Sequence, residues 1–369
     1  MEGGALIAQG AYGCIFDKPL DCKRKGKKDK STKIAKLTED IDANQEINIG
    51  NELRDMPLAT NYFILADPES CAVKPIEKQD EEDIDDCNFL DRVELRYTRQ
   101  IYMDYGGKAL YQMNLYPSQF DLLKFMIHML EAAGTLLLAG ICHYDIHPGN
   151  IVVDKKGATR LIDFGMAFKG PTVSKSVIDL RWKVLRFGTP EHTEHWISNQ
   201  EPPEITIINA VVNNEFPLEA AIQKTVYTKN IFGQLAKPLL GISRANQIES
   251  FEHFWITSKA CKEEDWVKFF RLYWSVFDSW SLGTLFLTYL QKQLSFFQFT
   301  SSDAWKEKQV SIRAALRGLL DINPRNRLDA IEALALLDPG NHWLTRFASS
   351  WLSEKAKQRK LLAASDVSV

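Results

Sequence analysis

The sequence predicts an α+β chain, strand-rich at its start and mainly helical afterwards. Three observations carry this reading. Residues 1–104 hold short β-prone runs set off by turn residues, with one helical stretch among them. Residues 120–139 (FDLLKFMIHMLEAAGTLLLA) form a long apolar helix. Residues 141–167 (ICHYDIHPGNIVVDKKGATRLIDFGMA) read as strand, turn, strand, with acids where the strands begin and end.

Composition narrows the function classes. The 369 residues suffice for one large or two ordinary domains with a substantial core. Lys plus Arg number 45 against 48 Asp plus Glu, and the net charge of −3 carries no overall nucleic-acid signature. No apolar stretch approaches the roughly 18–20 residues of a bilayer span, and MEGGALIAQG lacks a basic-then-apolar secretion signal. The six cysteines form no C-x-x-C pair and have no clustered histidines, so they are expected to be reduced thiols of an intracellular, cytoplasmic protein.

Taken in order, Ile7 to Phe16 has an apolar run, a bend holding Gly10 and Gly13, and a second apolar run. Glycines let backbone N–H groups come close to phosphate oxygens, where a Cβ would obstruct. The basic run Lys23 to Lys30 lies between two strand candidates and reads as a solvated hairpin tip. Ser31 to Leu37 is β-prone and carries Lys33 and Lys36, whose odd spacing puts them on opposite sides of a strand. Ala43, Glu46, Ile47, Ile49, Gly50 and Leu53 have helical spacing. Residues 79–86 (QDEEDIDD) read as a solvated connection, and Glu94 to Tyr105 as a buried strand running to Gly106 and Gly107. The helix at 120–139 is apolar on more than one face, which marks a buried scaffold, and its His128 is assigned to packing or solvent.

Residues 141–167 carry the chemistry. Asp145, Asn150 and Asp163 stand in the pattern H-x-D-x-x-x-x-N followed by D-F-G. Phosphoryl transfer needs a carboxylate near the incoming hydroxyl and oxygen ligands for Mg2+, and these three residues are of the right types.

HYDIHPGN resembles the catalytic loop HRDLKPEN of eukaryotic-type protein kinases, and Asp163-Phe164-Gly165 resembles their DFG. Later in the chain, Asp278-Ser279-Trp280-Ser281-Leu282-Gly283 resembles D-x-W-S-x-G, and LLDINPRNR resembles L-L-x-x-D-P-x-x-R. The insertion near 205–277, the Pro-Pro-Glu form, the GCIF run after the glycine bend and the place of LLDINPRNR are similar to serine/threonine kinases of large nucleocytoplasmic DNA viruses.

The resemblance implies a two-lobed protein kinase fold: an N-lobe at 1–104, a C-lobe at 105–352 with the insertion at about 205–277, and a tail at 353–369. It implies ATP and Mg2+ as cofactors and protein serine or threonine as acceptor, with no membrane or nucleic-acid partner and a host-cytoplasmic or virion location. Asp145 would take the proton of the attacking hydroxyl, and Asn150 and Asp163 would ligate Mg2+. Ala8, Gly10, Ala11, Tyr12, Gly13 and Ile15 would form the flap over the nucleotide, Ala8 and Ile15 replacing the usual glycine and valine. Lys33 is favoured as the phosphate-binding lysine, from its place in the viral kinases, with Lys36 as the fallback and Glu46 as its partner. Met103 would line the back of the pocket, and Asp104, Tyr105 and Gly106 would form the hinge. Tyr144 replaces the arginine that grips a phosphorylated activation segment, so activity is expected without such phosphorylation. His147 stands where protein-serine kinases place a lysine near the γ-phosphate. The same HPGN resembles small-molecule kinases of the aminoglycoside and choline type. Either Glu204 or Glu191 would end the activation segment and pair with Arg327. Thr172, Ser174, Ser176, Thr189 and Thr193 are its candidate phosphoacceptors.

Overall fold

Five strands, β1 (Leu6–Gly10), β2 (Gly13–Phe16), β3 (Ile34–Glu39), β4 (Ser70–Cys71) and β5 (Thr98–Met103), make an antiparallel sheet of order β1-β2-β3-β5-β4 in this computed structural model. The structure describes residues 5–10, 12–24, 32–79, 84–181 and 198–366. Ala11, most of the basic run, residues 80–83 of the acidic loop, Thr189, Glu191 and Thr193 lie outside the described residues.

Alternation along β3 gives the sheet two apolar faces. Ile34 sits with Ile101 and Met103 against Ala43 and Ile47 of helix α1 (Asp40–Arg54). Asp40 and Asp42 in the first turn of α1 favour the positive end of the helix dipole. Leu37 faces the other way, joining Cys14, Phe16, Leu20, Val73, Ile84, Cys87 and Phe89 in a second cluster. Val73, Ile84, Cys87 and Phe89 therefore cover a sheet face that would otherwise leave Phe16 and Leu37 in water, about 1.5–3 kcal/mol for each large side chain.

Two disulfides pin this cover, Cys14–Cys87 and Cys22–Cys71, and they correct the expectation of reduced thiols. Cys142 and Cys261 are not disulfide-bonded, and both are buried. The paired cysteines lie 73 and 49 residues apart, so no local spacing betrays them. The thiol argument for a reducing compartment falls with this finding.

The chain divides into two compact units, Met1–Leu110 with Asn150–Ala167, and Tyr111–Gly149 with Phe168–Val369. The first unit extends past the expected boundary at residue 104 for a structural reason. Strand β6 (Lys108–Ala109) pairs with β8 (Ile151–Val153), which pairs with β9 (Thr159–Leu161). Helix α2 (Ala59–Tyr62) sits beside β9, where the Ile64 N–H donates to the Leu161 carbonyl at 3.0 Å.

In the second unit, helix α3 (Leu122–Leu138) begins at Asp121, whose carboxylate accepts the Lys124 N–H at 3.0 Å. Strand β7 (Ile141–Cys142) follows and pairs with β10 (Phe168–Lys169). Next come α4 (Lys175–Asp179), α5 (Pro203–Val212), α6 (Leu218–Thr228), α7 (Ala236–Leu240), α8 (Arg244–Thr257), α9 (Lys259–Lys262) and α10 (Trp266–Tyr273). The chain closes with α11 (Phe277–Leu294), α12 (Phe297–Thr300), α13 (Asp303–Leu319), α14 (Ala330–Leu337) and α15 (Ser349–Asp366). Helix α3 packs on α11 and α14, which explains its apolar residues on several faces. The aromatic-rich insertion is folded: Phe251, Phe254, Trp255, Phe269 and Tyr273 are buried together, with the Phe269 and Tyr273 ring centroids 5.0 Å apart. This is an α+β fold with a small antiparallel sheet unit and a larger helical one, as in a two-lobed kinase-like fold. No helix among the described residues is long and apolar enough to cross a membrane.

Candidate active site

The centre of the first unit is a buried ammonium. Lys36 Nζ lies 2.8 Å from Glu46 Oε2 and 2.7 Å from Asp163 Oδ1. Register fixes the lysine, since β3 pairs Lys36 with Ile15 on one side and Ile101 on the other. Glu46 comes from the buried face of α1 and Asp163 from the DFG run after β9. Burial pulls the Lys36 pKa down, but Asp163 and then Glu46 outweigh it and hold the ammonium above its ordinary range. Burial pushes the Glu46 carboxyl up against the opposing pull of Lys36, and the Asp163 charge adds to the rise. One ammonium here bridges two carboxylates.

Lys33 is not the residue that meets Glu46, and that expected pairing is corrected to Lys36. It precedes β3, and its Nζ lies 2.8 Å from Asp104 Oδ1 and 3.5 Å from Asp67 Oδ1, about one-quarter exposed. Only a residue on the α1-facing side of the strand reaches Glu46, and Lys36 shares that side with Ile34. Spacing alone put the two lysines on opposite sides without saying which side faced the helix.

The glycine bend has two distinct parts. Gly13 is required by packing, because a Cβ there would meet the Leu37 carbonyl oxygen at 2.2 Å. Gly10 pairs with Gly13 in the β1–β2 ladder and has open space where a Cβ would stand, so a ligand can approach its backbone. Ala8 is exposed on β1 opposite Ile15, and Tyr12 is exposed at the turn, where its carbonyl accepts the Thr38 hydroxyl at 2.6 Å. Met103 is buried in the α1-facing cluster, and Asp104 and Tyr105 are exposed. Gly106 lies against Val152, whose Cγ2 a Cβ would meet at 2.5 Å, so of the hinge candidates Gly106 is seated on β8.

Asp163 has left-handed backbone (φ 64), and its Oδ1 also accepts the Gly165 N–H at 3.3 Å. Strained backbone of this kind in a non-glycine residue persists where surrounding contacts fix it. Here Phe164 is fully buried against Phe63, with ring centroids 5.7 Å apart, and Gln45 of α1 donates to the Ala167 carbonyl at 2.7 Å. Gln45 was not legible as a site residue, because an amide on a helix has no motif. Asn150 is buried at the start of β8, and its carbonyl accepts the Ile162 N–H at 3.0 Å. A carboxylate and an amide oxygen suit Mg2+, which is commonly held by one or two carboxylates plus substrate phosphates. Among the described residues no group of three or more His, Cys, Asp or Glu could hold a metal by itself.

In the second unit, Asp278 organises the loop that carries Asp145. Its Oδ2 accepts the His143 N–H at 2.7 Å and its Oδ1 the Tyr144 N–H at 2.8 Å. Tyr144 takes left-handed backbone, with φ 69. Asp145 is about one-third exposed, and His147 Nε2 stands 3.7 Å from its Oδ2. The Gly149 N–H donates to His147 Nδ1 at 3.0 Å, and a Cβ on Gly149 would strike that ring. The His147 imidazole thus folds back toward Asp145. Glu204 and Arg327 form a two-pronged ion pair at 2.7 and 2.9 Å, so among the described residues it is Glu204 that meets the late arginine.

Residues 82–174 match the phosphotransferase enzyme family named APH. Human citron Rho-interacting kinase is 32% identical over 114 residues, 30% of this chain and 5% of that protein. The probable serine/threonine-protein kinase ndrC of Dictyostelium discoideum is 48% identical over 46 residues, 12% of this chain and 3% of that protein. Human mitogen-activated protein kinase 12 is 25% identical over 93 residues, 25% of this chain and 24% of that protein. The matched stretch thus spans a small part of each relative's length. The chain is kinase-like in sequence and in fold, with a phosphotransferase signature around its DFG run.

Proposed function

We propose that this chain is an ATP- and Mg2+-dependent protein kinase that phosphorylates serine or threonine hydroxyls. The observation that carries the proposal is the Lys36–Glu46–Asp163 cluster, a desolvated ammonium held ready beside a glycine bend. Lys36, in place of Lys33, and the backbone at Gly10 hold the nucleotide phosphates, and residues 103–106 take the adenine. Mg2+, when bound, is held by Asn150 and Asp163 and neutralises phosphate charge. Asp145 orients the acceptor hydroxyl and takes its proton as oxygen attacks the γ-phosphorus and the bond to ADP breaks. Most of the rate enhancement comes from positioning and charge.

A protein acceptor is favoured by the Asp278 brace and the Glu204–Arg327 pair, both of which follow the protein-kinase pattern. Virus-encoded origin, with action in host cytoplasm or virion, rests on the resemblance of the insertion and the Pro-Pro-Glu and GCIF runs. A small-molecule kinase is the second reading, favoured by the APH match and by HPGN. Transfer from radiolabelled ATP separates the two: label on generic proteins or on the chain itself supports the first, and strict dependence on an added amino alcohol or aminoglycoside defeats it. Asp145→Asn abolishes transfer and leaves nucleotide-induced thermal stabilisation intact.

A further inference from the structure

Arg181 lies in the segment that follows DFG, yet it is buried, 7% exposed. Its backbone N–H donates to the Ile178 carbonyl at 2.9 Å, and its guanidinium donates to the Val177 carbonyl. The guanidinium carbon stands 5.2 Å from the Tyr144 ring centroid and 4.9 Å from that of Phe168. Those two rings are 5.6 Å apart, and Phe270 lies 6.1 Å from the first and 5.7 Å from the second. A cation is therefore seated against an aromatic box, one wall of which is the residue just before Asp145. The attraction of a guanidinium for ring faces strengthens when water is excluded, as it is here.

Tyr144 needs such a holder. Its left-handed backbone is unfavourable for a bulky side chain, and its N–H is already drawn to Asp278. Asp278 thus grips the loop by its backbone, while Arg181 grips it by its ring. A tyrosine offers no bidentate clamp for a phosphate. The arginine here sits in the segment after DFG, and its contact is with rings.

We propose that Arg181, stacked on Tyr144 and Phe168, is the positioning residue that holds Asp145 in place without phosphorylation of the segment after DFG. The inference rests on the phosphotransferase role given to Asp145, and the experiment keeps the two apart. Wild type, Arg181→Met, Arg181→Lys, Tyr144→Leu and the Arg181→Met/Tyr144→Leu pair are compared in kcat, in KM for ATP and in amide hydrogen exchange at residues 143–145.

Arg181→Met fills the volume without the charge and is expected to lower kcat by about 10- to 100-fold, with KM for ATP within about 2-fold. Arg181→Lys recovers most of the loss, and Tyr144→Leu reproduces it. The double variant falls no further, because both changes remove one contact. Exchange at the His143 and Tyr144 amides accelerates in Arg181→Met, and phosphatase treatment of wild type leaves kcat unchanged. Unchanged kcat and exchange in Arg181→Met would overturn the proposal, as would loss of wild-type activity on phosphatase treatment. If Arg181→Met fails to fold, Tyr144→Leu decides by the same readouts. A wild type that transfers no phosphate, yet whose amide protection depends on Arg181, would sink the kinase reading and leave the loop-holding role standing.

Discussion

Glu204 and Arg327 meet through two hydrogen bonds with both side chains fully buried, whereas Lys36 divides one ammonium between Glu46 and an Asp163 that is 31% exposed. The arginine is further satisfied by the carbonyls of Asp321, Val276 and Ile322 and stacks on Trp280. Its positive charge is matched by one carboxylate in fork-to-fork geometry, the arrangement of a pair whose role is to hold structure. The lysine cluster sets two carboxylates about one ammonium and is partly open at Asp163. The two clusters share chemistry and differ in how far they are buried.

Breaking the closed pair should produce the larger effect on stability. Arg327→Met leaves Glu204 buried without its partner and is expected to destabilise the chain by about 3–5 kcal/mol, read by denaturant unfolding. Adding Glu204→Leu should recover a large part of that loss, since an apolar replacement removes the stranded charge. Lys36→Met is expected to cost less stability, because burial already raises the Glu46 pKa and lets that carboxyl take up a proton. Its effect should fall on turnover, a drop of about 10²- to 10³-fold in phosphoryl transfer. Lys33→Met sharpens the contrast further. Its partly exposed pair with Asp104 is worth on the order of 0–1 kcal/mol, so activity within about 3-fold of wild type is expected. A larger fall for Lys33→Met than for Lys36→Met would reverse the assignment.

The smallest expected effect is at the turn between β8 and β9. Burial pushes the Asp154 carboxyl up, but N–H bonds from Ala158 and Lys156 and the nearby Arg160 outweigh it and hold it below the usual range. A carboxyl depressed on folding contributes stability above its unfolded pKa and loses it as pH falls through the folded value. Protection of the Lys156 and Ala158 amides, taken relative to their intrinsic exchange rates, should therefore fall as pH drops below the ordinary carboxylate range, and Asp154→Asn should flatten that response.

Much of the candidate site was legible because its residues sit in short patterns. Asp145, Asn150 and Asp163 are close in sequence, and Asp278 and Arg327 lie in runs with fixed neighbours. The α+β order and the buried α3 followed from apolar spacing. The choice between Lys33 and Lys36 was not legible, since it depends on which side of β3 faces α1. The disulfides join residues 73 and 49 positions apart, with no pattern between them. Arg181 and Gln45 meet partners distant in sequence, and the fold of His147 toward Asp145 depends on the space left by Gly149. What escaped the sequence is what tertiary contact decides.

An acyl-phosphate analogue of ATP, which acylates the lysine nearest the bound phosphates, tests the central claim most directly. Peptide mapping after labelling is predicted to find the acyl group on Lys36, with labelling suppressed by excess ATP and Mg2+. Label on Lys33 in place of Lys36, or label on Lys36 that ATP does not suppress, would contradict the account.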